Sequence, residues 1–403
     1  MPDAPAPPWS QQARQRLSGD GGVAADQAIA ERGRLLGEGE RLLAAGSSAA
    51  AQEVFDRAAL MQHAPDTEAA LVRSHLQAGD YRRALAFGAH AAGAHRREWP
   101  AGSALYAWLL HVGGQAVVAR RLLDDALALA PDDAALLAAR SELASPWPRA
   151  TGVLGGQAWR ALRLAPYAHG QAVPAGAGVV GSATLVDAGR RALMSSALLP
   201  SALLPSAPLP STLLPGTWRP AAAQLPATVP GDESAPPLLW LRNGLGQTVA
   251  ARVEAIEPGL GVAVLRLATP LPAAGWLLAP QSPFGGSPGY LVEYSPDGQG
   301  EAAWPVLRQG FFARATTAPG ARALGIDAPA GPRGGPVVDA GGRLAGLAVS
   351  DGAGTDRLIP ITALAGWLGA LPPQPAALPV PPAETAAVYE LALRGVLQVL
   401  QLR

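Results

Sequence analysis

Three short glycine-containing motifs have spacings suited to binding or catalysis: Gly176-Ala177-Gly178-Val179-Val180-Gly181, Gly285-Gly286-Ser287-Pro288-Gly289 and Gly331-Pro332-Arg333-Gly334-Gly335-Pro336. The first has the glycine spacing that brings backbone against a dinucleotide pyrophosphate, but such a site needs a strand before it and a helix after it. A Pro/Gly-rich stretch precedes these glycines and a Val/Leu run follows, so nucleotide binding is not expected. The second has the spacing of a serine nucleophile elbow, in which the residue after the serine lends its N–H to an oxyanion. Pro288 has no N–H to lend. The third is a loop whose glycines permit a tight backbone turn against a carbonyl group, and Arg333 stands at its centre.

The absences are as informative. The 403 residues include no Cys, and every one of the 31 basic residues is Arg. Thiolate nucleophiles, Cys-held zinc, iron–sulfur clusters, Schiff-base lysines and the phosphate-loop lysine are all excluded. Of six His, five (His63, His75, His90, His95, His111) precede residue 112 without HExxH spacing, and only His169 follows. They read as packing or surface residues, and no metal or cofactor is expected. Charge is balanced along the chain, with 15 Arg against 17 acids up to residue 150 and 16 against 14 beyond it. Neither half has the field that a nucleic-acid or anionic-lipid surface needs.

From about residue 30 to 145, Ala, Leu, Arg and Glu dominate and Gly or Pro falls at intervals, which predicts helices. Ala51, Ala84 and Ala119 recur 33 and 35 residues apart, each after a turn glycine (Gly46, Gly79, Gly114) and before a proline (Pro65, Pro100, Pro131). This period resembles the tetratricopeptide repeat, which implies helix pairs at about 31–65, 66–100 and 101–131, a capping helix at 133–143 and a groove for a peptide or helix.

Past the breaker Ser145-Pro146-Trp147-Pro148-Arg149, short Val/Leu/Ile runs alternate with Gly/Pro turns: 178–186, 237–241, 249–256, 262–267, 290–294, 306–312 and 343–349. That spacing predicts an all-β barrel or sandwich. The pentapeptides ALLPS, ALLPS, APLPS and TLLPG over 197–216 form an apolar stretch, yet a proline every fifth residue rules out a spanning helix and predicts an extended loop at 198–216.

The segment from Leu324 to Leu347, with Ile326-Asp327-Ala328 leading into Gly331-Pro332-Arg333-Gly334-Gly335-Pro336, resembles the nucleophile region of trypsin-like serine proteases of the HtrA/Deg type. Residues 181–199 resemble that family's strands leading to the catalytic His, residues 238–267 the strands leading to the catalytic Asp, and Arg357-Leu358-Ile359-Pro360-Ile361 the last barrel strand. The resemblance spans about 152–370 and implies a trypsin-like double β-barrel. In the triad positions it places Ala197 for the base, Gly261 for its orienter and Arg333 for the nucleophile. An inactive homologue is therefore expected, since a hydroxyl without a base is a weak nucleophile. Arg333, with Gly331 and Gly334, is a candidate for facing the former cleft and holding an acidic or C-terminal peptide carboxylate there, against the favoured reading that its guanidinium reaches solvent over a closed cleft.

The expected fold is multidomain α + β: a segment 1–29 read as flexible, a helical repeat stack at 30–145, the double barrel at 152–370, a Pro-rich linker at 371–383 and a C-terminal helix at 384–403. The apolar stripe Val388, Leu391, Val396, Val399 and Leu402 gives that helix a face for packing or self-association. The expected function is a non-catalytic scaffold that binds a protein or peptide through the helical groove, the barrel cleft or both; the rival is an active trypsin-like endopeptidase with an unusual site. The Pro-rich start lacks an apolar export signal, so a cytoplasmic location is expected, and the Arg-only, Ala/Gly/Pro-rich usage associates with a bacterial source.

Overall fold

The computed structural model describes residues 22–62, 64–94, 99–145, 165–199, 239–296, 299–314, 322–329, 331, 333–350, 356–368 and 381–402. The chain divides into two units, Met1–Tyr167 and Ala168–Arg403. Most of the pentapeptide stretch and most of the Pro-rich linker lie outside the described residues.

The first unit is a stack of helix pairs: α1 (Gly22–Ala44) with α2 (Ser48–Met61), α3 (Pro65–Ala78) with α4 (Tyr81–Ala94), α5 (Ala101–Val112) with α6 (Ala116–Leu129), and a last helix α7 (Ala134–Leu143). The small residues that set the period are fully buried: Ala51, Ala84 and Ala119 each have no exposed surface. Each sits where a bulkier side chain would hold two helices apart. Asp133 caps α7 by accepting from the Leu136 N–H at 2.9 Å. The first helix starts at Gly22, earlier than the expected residue 30, because the Ala-rich run ahead of Glu31 continues the helix.

The second unit holds a seven-stranded and a six-stranded sheet. Strands β2 (Ala177–Val186), β3 (Arg191–Ser195), β4 (Leu239–Asn243), β5 (Gln247–Glu257), β6 (Val262–Leu267) and β13 (Val396–Leu402) close into a ring in the order β13-β2-β3-β6-β5-β4, and the two-residue β1 (His169–Gly170) adds to β5. The other sheet runs β8-β7-β10-β11-β12-β9, from β7 (Pro288–Glu293), β8 (Val306–Phe311), β9 (Arg322–Ala323), β10 (Pro336–Asp339), β11 (Leu344–Ser350) and β12 (Asp356–Pro360). With β13 counted as the first stave of its ring, both sheets follow one cyclic order, first-second-third-sixth-fifth-fourth. This is the expected double-barrel architecture, built on closed or nearly closed sheets that bury their edges. The first barrel is filled by Leu185, Met194, Leu241, Leu265, Leu397 and Val399 among others.

The C-terminal segment corrects one expectation. Only Thr385–Gly395 is helical (α8), and residues 396–402 are strand β13, paired with β2 on one side and β4 on the other. The helical stripe therefore does not exist beyond Gly395. Val396 and Leu397 are both fully buried although they point to opposite faces, which an amphipathic helix cannot arrange and a central strand must. Helix α8 packs within the second unit, where the Tyr389 hydroxyl donates to the Pro305 carbonyl at 2.7 Å and the Leu393 carbonyl accepts from the Gly244 N–H at 2.8 Å. Among the described residues no helix is long and apolar enough to cross a membrane.

Candidate functional site

Strand β3 ends at Ser195 and a single 3-10 turn, Ser196–Leu198, follows it. Leu198 and Leu199 return to the core, which leaves the Ala197 methyl exposed on the outside of the turn. Strand β6 begins opposite, with Ser195 paired to Val262, and the Ser196 N–H donates to the Gly261 carbonyl at 2.9 Å. Gly261 closes the β5–β6 turn at φ +70°, a left-handed conformation suited to glycine. A Cβ there would stand 3.5 Å from Nη2 of Arg357.

The loop before β10 closes on the same place. Thr184 Oγ1 on β2 donates to the Gly334 carbonyl at 3.3 Å, and a Cβ on Gly334 would collide with the Ser182 carbonyl oxygen and lie 3.4 Å from the Ser195 nitrogen. At φ +146° and with no room for a Cβ, position 334 admits only glycine. The three sequence-identified positions thus converge: Ala197 and Gly261 through their turn, and the Arg333-Gly334 loop through β2 and β3. Gly331, also left-handed at φ +150°, has open space where a Cβ would be.

Arg333 neither faces the cleft nor reaches solvent over it. Its side chain is completely buried, with Nη1 donating to Glu293 Oε2 at 3.0 Å and Nη2 donating to Asp356 Oδ2 at 2.6 Å and to the Pro329 carbonyl. The guanidinium that was to receive a ligand's carboxylate is neutralised by two carboxylates of its own chain, brought from the end of β7 and the start of β12. Burial pushes the Glu293 carboxyl up to about 7 against the opposing pull of Arg333. The Gly335 N–H also turns inward and bonds Glu293. For Arg333, burial opposes the charge, but the hydrogen bond to Asp356 and the charge of Glu293 prevail and hold it above its ordinary range.

Glu293 and Asp356 were not identified as site residues from sequence. The available signal was a single acid inside the apolar run Tyr290-Leu291-Val292-Glu293-Tyr294, which, once buried, needs a hydrogen-bonding or charged partner or keeps its proton. His169 lies on β1 opposite Gln247, at the far end of β5 from Glu257, which pairs with Val262 beside Gly261. The eleven residues of β5 separate that pairing from the Gly261 turn along the strand. The buried Ser195 hydroxyl has no hydrogen-bond partner among the described residues.

No family model matches the sequence, and no curated protein matches it. Among solved structures, the chain is similar to the MamO protease domain from Magnetospirillum magneticum at 18% identity, a match that covers 50% of this chain and 94% of that one with a TM-score of 0.30. It is also similar to the Rv3671c protease in its inactive form, at 16% identity over 47% of this chain and 89% of that one, with a TM-score of 0.28.

Proposed function

We propose that the chain is a non-catalytic binding protein, a pseudoprotease whose barrels keep the architecture of a peptidase without its chemistry, and whose helical stack and barrel cleft engage protein or peptide partners. The observation that carries this reading is Arg333, which stands where a nucleophile is required and is buried between Glu293 and Asp356. Acyl transfer needs a hydroxyl or thiol, a base to take its proton and a group to orient the base. A guanidinium stays protonated and attacks nothing. The Ala197 methyl accepts no proton, Gly261 orients none, and His169 pairs with Gln247 at the opposite end of β5 from Glu257.

The test is labelling with a serine-reactive fluorophosphonate and cleavage of casein, on wild type and on Arg333→Ser. Neither protein is expected to be labelled or to turn over substrate. A restored hydroxyl still lacks its base, and what binding and backbone alone supply is about 10³–10⁴-fold over water, below detection for amide bonds. Turnover by wild type overturns the proposal.

A further inference from the structure

Helices α1 and α3 place repeat-equivalent residues on one face of the first unit. Glu40 and Arg73 are 33 positions apart and pair with each other, while Gln77, one turn after Arg73, donates to the Leu43 carbonyl at 2.9 Å. Arg73 and Gln77 are 1% and 2% exposed. Buried polar side chains of this kind hold position by bonding whatever covers them.

Residues 165–167, which belong to no helix or strand, cover them. The Tyr167 N–H donates to Gln77 Oε1 at 2.9 Å, and Gln77 Nε2 donates back to the Tyr167 carbonyl at 3.4 Å. One amide side chain thereby reads both polar groups of one backbone residue, whatever its side chain. The side chain is read separately: the Tyr167 hydroxyl donates to Glu40, the Arg73 guanidinium stands 5.4 Å from the ring centroid, and the ring packs beside Leu43, Phe55 and Leu71. Ala165 and Pro166 are buried ahead of it.

We propose that this α1/α3 face is a recognition site for an extended segment of a partner protein carrying a tyrosine after a small residue and a proline, and that residues 165–167 occupy it in cis as an internal competitor. The proposal rests on the reading of the helical stack as a peptide-binding module and names its ligand. The two layers of contact give their own reason. Main-chain recognition through Gln77 sets an extended strand in register, and Glu40 with Arg73 then selects an aromatic ring that bears a hydroxyl. A tethered competitor acts at an effective concentration of about millimolar, so it masks the site from weak ligands and yields to strong ones.

The experiment uses the full chain and a fluorescein-labelled peptide with the sequence of residues 162–168, followed by anisotropy. Wild type is expected to bind weakly, and Tyr167→Ala, which strips the tethered competitor of its ring and hydroxyl contacts while leaving its main chain, at least tenfold more tightly. Adding Gln77→Ala to Tyr167→Ala should abolish that gain, and a peptide with Phe for Tyr should bind several-fold more weakly. Thermal melts verify that each variant folds. If Tyr167→Ala does not, amide exchange at Tyr167 in wild type decides, since millimolar peptide should accelerate it by displacement. A folded Tyr167→Ala chain that ignores the peptide, a gain that survives Gln77→Ala, or exchange unmoved by peptide would each show that the segment is only structural. The fluorophosphonate test is independent: a silent probe with failed peptide binding sinks this site alone, whereas labelling sinks the scaffold reading itself.

Discussion

Nη1 of Arg333 lies 3.0 Å from Oε2 of Glu293, and neither side chain has more than 1% of its surface exposed. The two are 40 residues apart, Glu293 at the end of β7 and Arg333 in the loop before β10, so their pairing is a property of the folded second unit alone. Breaking a buried ion pair costs more than forming it gains, because the survivor keeps its desolvation penalty. Arg333→Ser should accordingly destabilise by about 3–5 kcal/mol at pH 8, where Glu293 is ionised, read as a lowered midpoint in urea. Adding Glu293→Gln should recover part of that loss; simple additivity of the two changes would mean that the pair is not coupled.

The same carboxyl makes stability depend on pH. The folded chain holds a proton on Glu293 up to about 7, whereas an unfolded carboxyl loses it near 4.5. Between those values the native state binds more protons, so this contribution is fully present below the lower value and is lost as pH rises through the upper one. The melting temperature of wild type should fall from pH 5 to 8 more steeply than that of Glu293→Gln. Parallel curves for the two proteins would exclude the effect.

Ala84 has no exposed surface at the crossing of α4 with its neighbours. Ala84→Trp should cost at least about 1–3 kcal/mol through overpacking. Circular dichroism would show it as a lower melting transition of the helical signal, and an unchanged transition would mean that the helices do not meet there.

Strand β13 makes a prediction that a helix would not. In a helix with the stripe Val388, Leu391, Val396, Val399 and Leu402, position 397 would tolerate a polar residue; in a central strand both faces are core. Leu397→Asn and Val396→Asn should each destabilise by about 2–5 kcal/mol, since each removes buried apolar contact and strands an amide. Chemical denaturation of the two variants distinguishes the arrangements, because a harmless Leu397→Asn is incompatible with the strand.

Local periodicity and backbone chemistry account for the features legible along the chain. The 33- and 35-residue recurrence of Ala51, Ala84 and Ala119 located the helix pairs, since a close crossing demands a small side chain wherever it occurs. The Val/Leu runs located most strands within about two residues, and the Gly-rich loop around Arg333 was legible because a backbone pressed against Ser182 tolerates no Cβ. Two matters were decided only by the tertiary structure. Gly395-Val396-Leu397-Gln398-Val399-Leu400 satisfies a helical stripe and a buried strand equally well, and the open position between β2 and β4 selected the strand because it alone satisfies that run's backbone groups while burying both faces. The direction of Arg333 was likewise set by Glu293 and Asp356, 40 residues before it and 23 after it: Coulomb attraction in a dry interior acts on distance in space, and nothing in the local sequence carries that distance.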